Sequence, residues 1–170
     1  PYALRRQALG VINIILNKLY PLNLKSMIEK SVSILGDKLK RPDEEVITDV
    51  LEFFKGRFEN QLISQGHPYD VVDAVLETGA SDIVRSFKKI EAMETFKNHA
   101  DFQPLAIAFK RVGNIVKDFK NGSVDSSKLE TDEEKNLYTA FLNTRDNVVR
   151  YIEKDDYQSA LIELAGLRKP

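Results

Sequence analysis

The sequence predicts an all-α protein, a helical bundle of about seven to eight helices. Three observations carry that reading. Apolar residues recur at steps of three and four through most of the 170 residues. Pro, Gly and the small capping residues Ser, Thr, Asp and Asn fall where those stretches should start and stop. No alternating apolar and polar run is long enough for a convincing strand. No repeat of fixed period and no low-complexity tract interrupts the pattern.

Residues 3–20 form the first expected helix, with Leu4, Ala8, Val11, Ile12, Ile15 and Leu19 as its apolar set. Between Arg6 and Lys18 its only polar side chains are Gln7, Asn13 and Asn17, so it is expected to be central. Arg5 and Arg6 stand at its N-terminal end, where the helix dipole disfavours cations. Pro21 ends it and Asn23 can cap the next helix, whose core face is Ile28, Val32, Leu35 and Leu39. Pro42 followed by Asp43, Glu44 and Glu45 is a favourable helix opening. That third helix is expected to reach about Gln65, with Val46, Val50, Phe54, Phe58 and Leu62 inward and Gly66 and Pro68 closing it.

Tyr69–Leu76 reads as a short helix stopped by Gly79. Ser81 is the expected cap of residues 82–98, with Ile83, Phe87, Ile90 and Met93 inward. Asp101 is the expected cap of the next helix, whose apolar face is Leu105, Phe109, Val112, Val116 and Phe119 and which closes at Asn121-Gly122. Residues 122–128 are polar and read as a mobile loop. Thr131 and Glu134 form a capping box for a helix to about Glu153, with Leu137, Phe141 and Val148 inward. Asp155 and Gln158 open the last helix, through Leu161 and Leu164.

The net charge of −1 is unevenly spread. Residues 81–121 hold eight Lys/Arg against five Asp/Glu, whereas residues 122–170 hold seven against ten. No global basic field advertises nucleic-acid binding, but one segment is modestly positive. Cysteine is absent, which removes disulfides, thiolate metal sites and thiol nucleophiles and fits the cytoplasm. The longest uncharged run, Gln7 to Asn17, is far short of the ~20 residues a membrane helix needs, so no membrane partner is expected. The chain starts at Pro1 and ends on Lys169-Pro170, and it reads as a piece of a longer protein.

Catalytic equipment is sparse. There is no Gly-rich phosphate loop and no serine in a G-x-S-x-G turn. His67 with Asp70 or Asp73 would be a weak metal site, and a turn histidine beside helix-opening acids explains the same residues. Paired carboxylates such as Glu133/Glu134 and Asp155/Asp156 sit at helix starts, where capping and the dipole account for them. The basic segment is more informative. Arg85, Lys88 and Lys89 lie on one expected helix, and Lys110, Arg111, Asn114 and Lys117 on the next. Lined up as neighbours, these edges would make one patch suited to phosphates, with Asn and Arg able to read base edges. Phe102 and Tyr138 are possible stacking residues, although aromatics at helical spacing are more often core. An ordinary amphipathic helix with solvated lysines accounts for the same spacing.

Several stretches resemble the β subunit of bacterial-type glycyl-tRNA synthetase, in the same order. They are Tyr2-Ala-Leu-Arg-Arg-Gln-Ala-Leu-Gly10, Leu35-Gly-Asp-Lys-Leu39, Phe53-Phe-Lys-Gly-Arg-Phe58 and Tyr69-Asp-Val-Val-Asp-Ala-Val-Leu76. Ala108-Phe-Lys-Arg-Val-Gly-Asn-Ile115 and Tyr157-Gln-Ser-Ala-Leu-Ile-Glu-Leu-Ala165 complete the series. The resemblance implies an α/β ligase that joins glycine to its tRNA using ATP with magnesium, the α subunit carrying the chemistry. It implies no cofactor and no catalytic residue in this piece. Its partners would be the tRNA for glycine and the α subunit.

The resemblance further implies that residues 1–98 precede an all-helical anticodon-binding domain like that of arginyl-tRNA synthetase. Residues 99–170 would be its start, truncated at the C-terminus. Lys110, Arg111 and Asn114 match the motif-bearing helix as candidate tRNA contacts. Arg57 matches the Gly-Arg-Phe stretch, and it can alternatively anchor a carboxylate between helices. Arg5 and Arg6 match without an assignable role. Lys88, Lys89 and Lys117 join the candidates on charge and spacing alone. Arg111 has a structural alternative, an ion pair with Asp118 or Glu94. The competing functional expectation is a module that docks the α subunit without reading bases.

Overall fold

The structure is a computed structural model that describes residues 2–119, 122 and 124–167. Among them are eight α-helices, two short 3₁₀ turns and no strand, so the chain is all-α. It divides into two compact units, Pro1–Glu91 and Ala92–Pro170.

The first unit holds α1 (Tyr2–Lys18), α2 (Leu24–Leu35), α3 (Asp43–Ser64), α4 (Tyr69–Glu77) and the start of α5 (Ile83–Lys97). Its hub is α3, which packs against α1, α2 and α4. Phe58 and Leu62 of α3, Ile12 and Ile15 of α1, and Val72 and Leu76 of α4 form the buried centre. The expectation of a central α1 is corrected here. Only Ala8, Ile12 and Ile15, one stripe at steps of four and three, are buried, while Leu4, Ile14 and Leu19 face solvent.

Local chemistry explains the helix ends. Asn23 caps α2 by accepting from the Ser26 N–H at 3.0 Å. Asp43, Glu44 and Glu45 fill the first turn of α3, where the dipole favours anions. That helix stops at Gly66, whose φ of +100° is the left-handed turn that closes it through the His67 N–H to Leu62 carbonyl bond. α1 ends in the same motif with Leu19 in the left-handed position, φ +51°. The cap of α5 is Asp82, one residue later than expected. Its Oδ1 accepts from the Arg85 N–H at 3.0 Å, while the Ser81 carbonyl accepts from the Leu24 N–H at 2.7 Å.

The second unit holds the end of α5, α6 (Phe102–Val116), α7 (Asp132–Glu153) and α8 (Tyr157–Gly166). The capping box forms as expected. Thr131 Oγ1 accepts from the Glu134 N–H, and Glu134 Oε2 accepts from the Thr131 and Glu130 N–H groups. Helices α7 and α8 pack on each other, and Asn147 donates to Glu163 at 2.8 Å between them. Asp156, rather than Asp155, caps α8 through the Ser159 N–H at 3.1 Å. Asp155 instead takes a left-handed φ of +57° to end α7. Leu137 and Phe141 are exposed, contrary to expectation, and Thr144 is the buried residue of α7. Asp101 stands at the N-cap position of α6 but makes no side-chain cap bond. The helix ends at Val116, and the expected Asn121 turn lies outside the described residues.

Candidate nucleic-acid interface

Helix α6 carries four of the candidate contacts on or just past its last two turns. Lys110, Arg111 and Asn114 are exposed along it, and Lys117 is exposed as its C-cap. The spacing 110, 114, 117 places three of them on one face, and Arg111 widens that edge. Among the described residues none of the three cations on this edge makes an ion pair or hydrogen bond. The pairing of Arg111 with Asp118 or Glu94 is not formed. Three charged donor groups and one amide therefore face water, ready for an anion.

The apolar side of the same helix is equally open. Leu105 is half-buried, but Phe109, Val112, Ile115, Val116 and, beyond the helix end, Phe119 are all exposed, and α6 contains no buried residue. This corrects the expected inward face. The period of the apolar residues is helical, but no described element of the second unit covers them. Among the described residues, the start of α6 is the part tied down. Phe102 sits edge-to-face on Phe96 with centroids 6.0 Å apart, and Phe96 is buried. That contact makes Phe102 a packing residue rather than a stacking platform. Tyr138, the other aromatic considered, is half-buried on α7.

Lys88 and Lys89 lie on α5 within the first unit, half-buried, and both already make polar or ring interactions. They belong to a different unit from Lys110, Arg111, Asn114 and Lys117. Arg57 is separate again, on α3, where its guanidinium lies 5.7 Å from the Phe53 ring centroid. Arg5 caps the face of Tyr2 at a similar distance of 5.7 Å, a local contact at the start of α1.

The histidines have structural partners. His67 packs edge-on against Phe87, and His99 stacks on Phe96 while its Nδ1 accepts from the Asp101 N–H at 3.3 Å. Among the described residues no three His, Asp or Glu side chains are grouped to hold a metal ion. None of their helices is long and apolar enough to cross a membrane. Two depressed carboxyls have capping explanations. Backbone N–H groups of Thr131 and Glu130 hold Glu134 below the usual carboxylate range, and the Ser159 hydroxyl and N–H do the same for Asp156.

A family model described as the glycyl-tRNA synthetase beta subunit matches residues 1–77. Over all 170 residues the chain is 61% identical to the glycine–tRNA ligase beta subunit of Syntrophus aciditrophicus. It is 44% identical to that of Syntrophotalea carbinolica and 46% to that of Geobacter metallireducens, again over 170 residues. In each case the match takes in 100% of this chain and 25% of the relative. The chain thus spans about a quarter of the length of the curated relatives it matches. The family model stops before α6, but the similarity to whole relatives runs through it. From end to end, the chain is similar to the beta subunit of glycine–tRNA ligases.

Proposed function

We propose that this chain is a segment of a glycine–tRNA ligase beta subunit and supplies part of its tRNA-binding surface. The reading rests on one observation above others: the edge formed by Lys110, Arg111, Asn114 and Lys117 is exposed and, among the described residues, free of ion pairs. In such an edge the cations hold RNA phosphates, and Asn114 with Arg111 can bond the edges of unstacked bases. The second unit is then the start of an anticodon-binding domain of the arginyl-tRNA synthetase kind. Lys88 and Lys89 are secondary candidates, because they already have partners. Attachment of glycine, with its ATP and magnesium, belongs to the assembled cytoplasmic enzyme and its α subunit.

The test is tRNA binding by this chain at two salt concentrations, comparing a glycine tRNA with one of altered anticodon. Lys110→Ala/Arg111→Ala should weaken binding and lower the salt slope by about 1.4 to 1.8, at about 0.7 to 0.9 for each phosphate no longer neutralised. Preference for the glycine tRNA, abolished in the double variant, supports anticodon reading. Binding and slope left unchanged by the variant would refute the role of this edge.

A second reading has its own observation. The exposed apolar residues Phe109, Val112, Val116 and Phe119 favour docking of another protein segment on the opposite side of the same helix. Under that reading Phe109→Ser lowers subunit association while leaving the salt slope of tRNA binding intact.

A further inference from the structure

Among the described residues, the cleft between α1 and α3 holds two buried polar atoms with no hydrogen-bond partner. It has a volume of about 390 Å³, is open to solvent, and is lined by Leu9 and Asn13 of α1, by Arg57, Asn60, Gln61 and Ser64 of α3, and by Gln65 at the end of that helix. Two of its polar atoms, Arg57 Nε and Gln61 Oε1, are buried and unpartnered. Gln61 Nε2 is spent, donating to Asn13 Oδ1 at 2.8 Å. Folded interiors rarely leave a buried donor and a buried acceptor unpaired, and both lie here one helical turn apart. No acid is among the lining residues, and among the described residues Arg57 makes no ion pair.

We propose that this cleft is a docking site for a carboxylate, taking an Asp or Glu side chain of a protein segment onto Arg57 and Gln61. The guanidinium presents Nε–H as part of a planar fork that matches a carboxylate. The guanidinium carbon lies 5.7 Å from the Phe53 ring centroid, a cation–π contact that helps hold it in place. The acceptor, Gln61 Oε1, is resolved within the protein by an amide flip. Asn13 and Gln61 are joined amide to amide, and turning both over makes Asn13 Nδ2 donate to Gln61 Oε1. Gln61 Nε2 then becomes a second donor to the carboxylate. Asn13 thereby satisfies Gln61 Oε1, and the carboxylate accepts from Arg57 Nε–H and Gln61 Nε2–H.

Charge selects the kind of partner. Along α3 six acids, Asp43, Glu44, Glu45, Asp49, Glu52 and Glu59, face two bases, Lys55 and Arg57. A polyanion such as an RNA backbone is repelled by that helix, whereas one carboxylate flanked by cations complements it. The openness of the cleft leaves a small free acid only partly enclosed, so the carboxylate is best delivered by a larger body. This site is independent of the proposed tRNA edge on α6.

The test follows the Arg side-chain Nε–H resonances of the 170-residue chain by NMR. The titrants, at matched ionic strength, are sodium acetate, inorganic phosphate and a blocked Lys-Glu-Lys peptide, against sodium chloride. The Arg57 signal is assigned through its loss in Arg57→Lys, and by through-bond connectivity if that variant misfolds. It should shift saturably with acetate, and with the peptide at about tenfold lower concentration because flanking cations add attraction. Gln61→Leu should weaken both by about tenfold through loss of one charge-assisted bond. Arg41 and Arg145, whose Nε groups already donate to Glu45 and Asp146, should not respond. Absence of a saturable shift overturns the proposal. So does tighter binding of phosphate than of acetate, or a peptide no better than acetate, which would indicate a free small acid.

Discussion

Phe58 and Phe119 have the same standing in the sequence, each on an apolar face at helical spacing, and opposite standing in the structure. Phe58 is 0% exposed in the hub helix α3, and Phe119 is 77% exposed past the end of α6. Phe58→Ala removes a ring from the centre of the first unit, between helices that reach one another chiefly through α3. Such truncations cost about 3 to 5 kcal/mol, combining lost burial and the cavity left behind. A unit of this size has a total stability of only about 5 to 14 kcal/mol, at about 0.05 to 0.15 kcal/mol per residue. The variant should therefore leave α1–α4 marginally folded. Phe119→Ala removes an exposed ring and should change stability by no more than about 0.5 kcal/mol. Urea titration with hydrogen exchange read at amides of α1–α4 separates the two. A Phe58→Ala cost below about 1 kcal/mol, or an equal cost for Phe119→Ala, would refute the assignment of the core.

Other expectations are local. Leu19→Asn should raise thermal stability by about 0.5 to 1 kcal/mol, since the left-handed turn disfavours Leu and the exposed side chain adds nothing to the core. Thr131→Ala should cost about 1 kcal/mol in chemical denaturation by removing the cap of α7. Glu134 has its pKa lowered, so its contribution is complete above the ordinary carboxylate pKa and is lost as pH falls through the lower folded value. Acid titration by circular dichroism should show that loss, and Glu134→Ala should abolish it. The Lys55–Glu77 pair, 2.6 Å apart between α3 and α4, lowers the Glu77 pKa in the same sense. Its contribution disappears in acid and shrinks in high salt, as a double-mutant cycle at two ionic strengths would show.

The helices were legible because their signals are local. Asn23 and the Thr131–Glu134 box name their own partners three residues away. The errors at Ser81 and Asp155 are shifts of one residue, because adjacent polar side chains compete for the same cap and only backbone geometry decides. Burial was less legible. Periodicity identifies which side of a helix is apolar, but whether anything lies against that side depends on distant chain. That is why Phe58 is buried and Phe109, Leu137 and Phe141 are not. It is also why α1, apolar nearly all round, covers only one stripe. The α1–α3 cleft was the least legible feature, since Asn13 and Gln61 meet across 48 positions of sequence. The Gly-Arg-Phe stretch drew notice to Arg57, but the spacing held no sign of its unpaired Nε.

The open half of α6 has a kinetic consequence. From Phe109 to Val116 every residue is exposed, and helices of fewer than about 12 to 15 residues are marginal in water without tertiary support. These turns are therefore weakly protected for a helix, with amides that exchange through local opening. A partner that settles on them, RNA or protein, must first hold the backbone still, so part of its binding free energy is absorbed in ordering the helix. In return the encounter tolerates imperfect approach, because the last turns can wind up after first contact. Slowing of exchange at Lys110 to Val116 is then a direct measure of occupancy, and it does not depend on which side of the helix the partner takes.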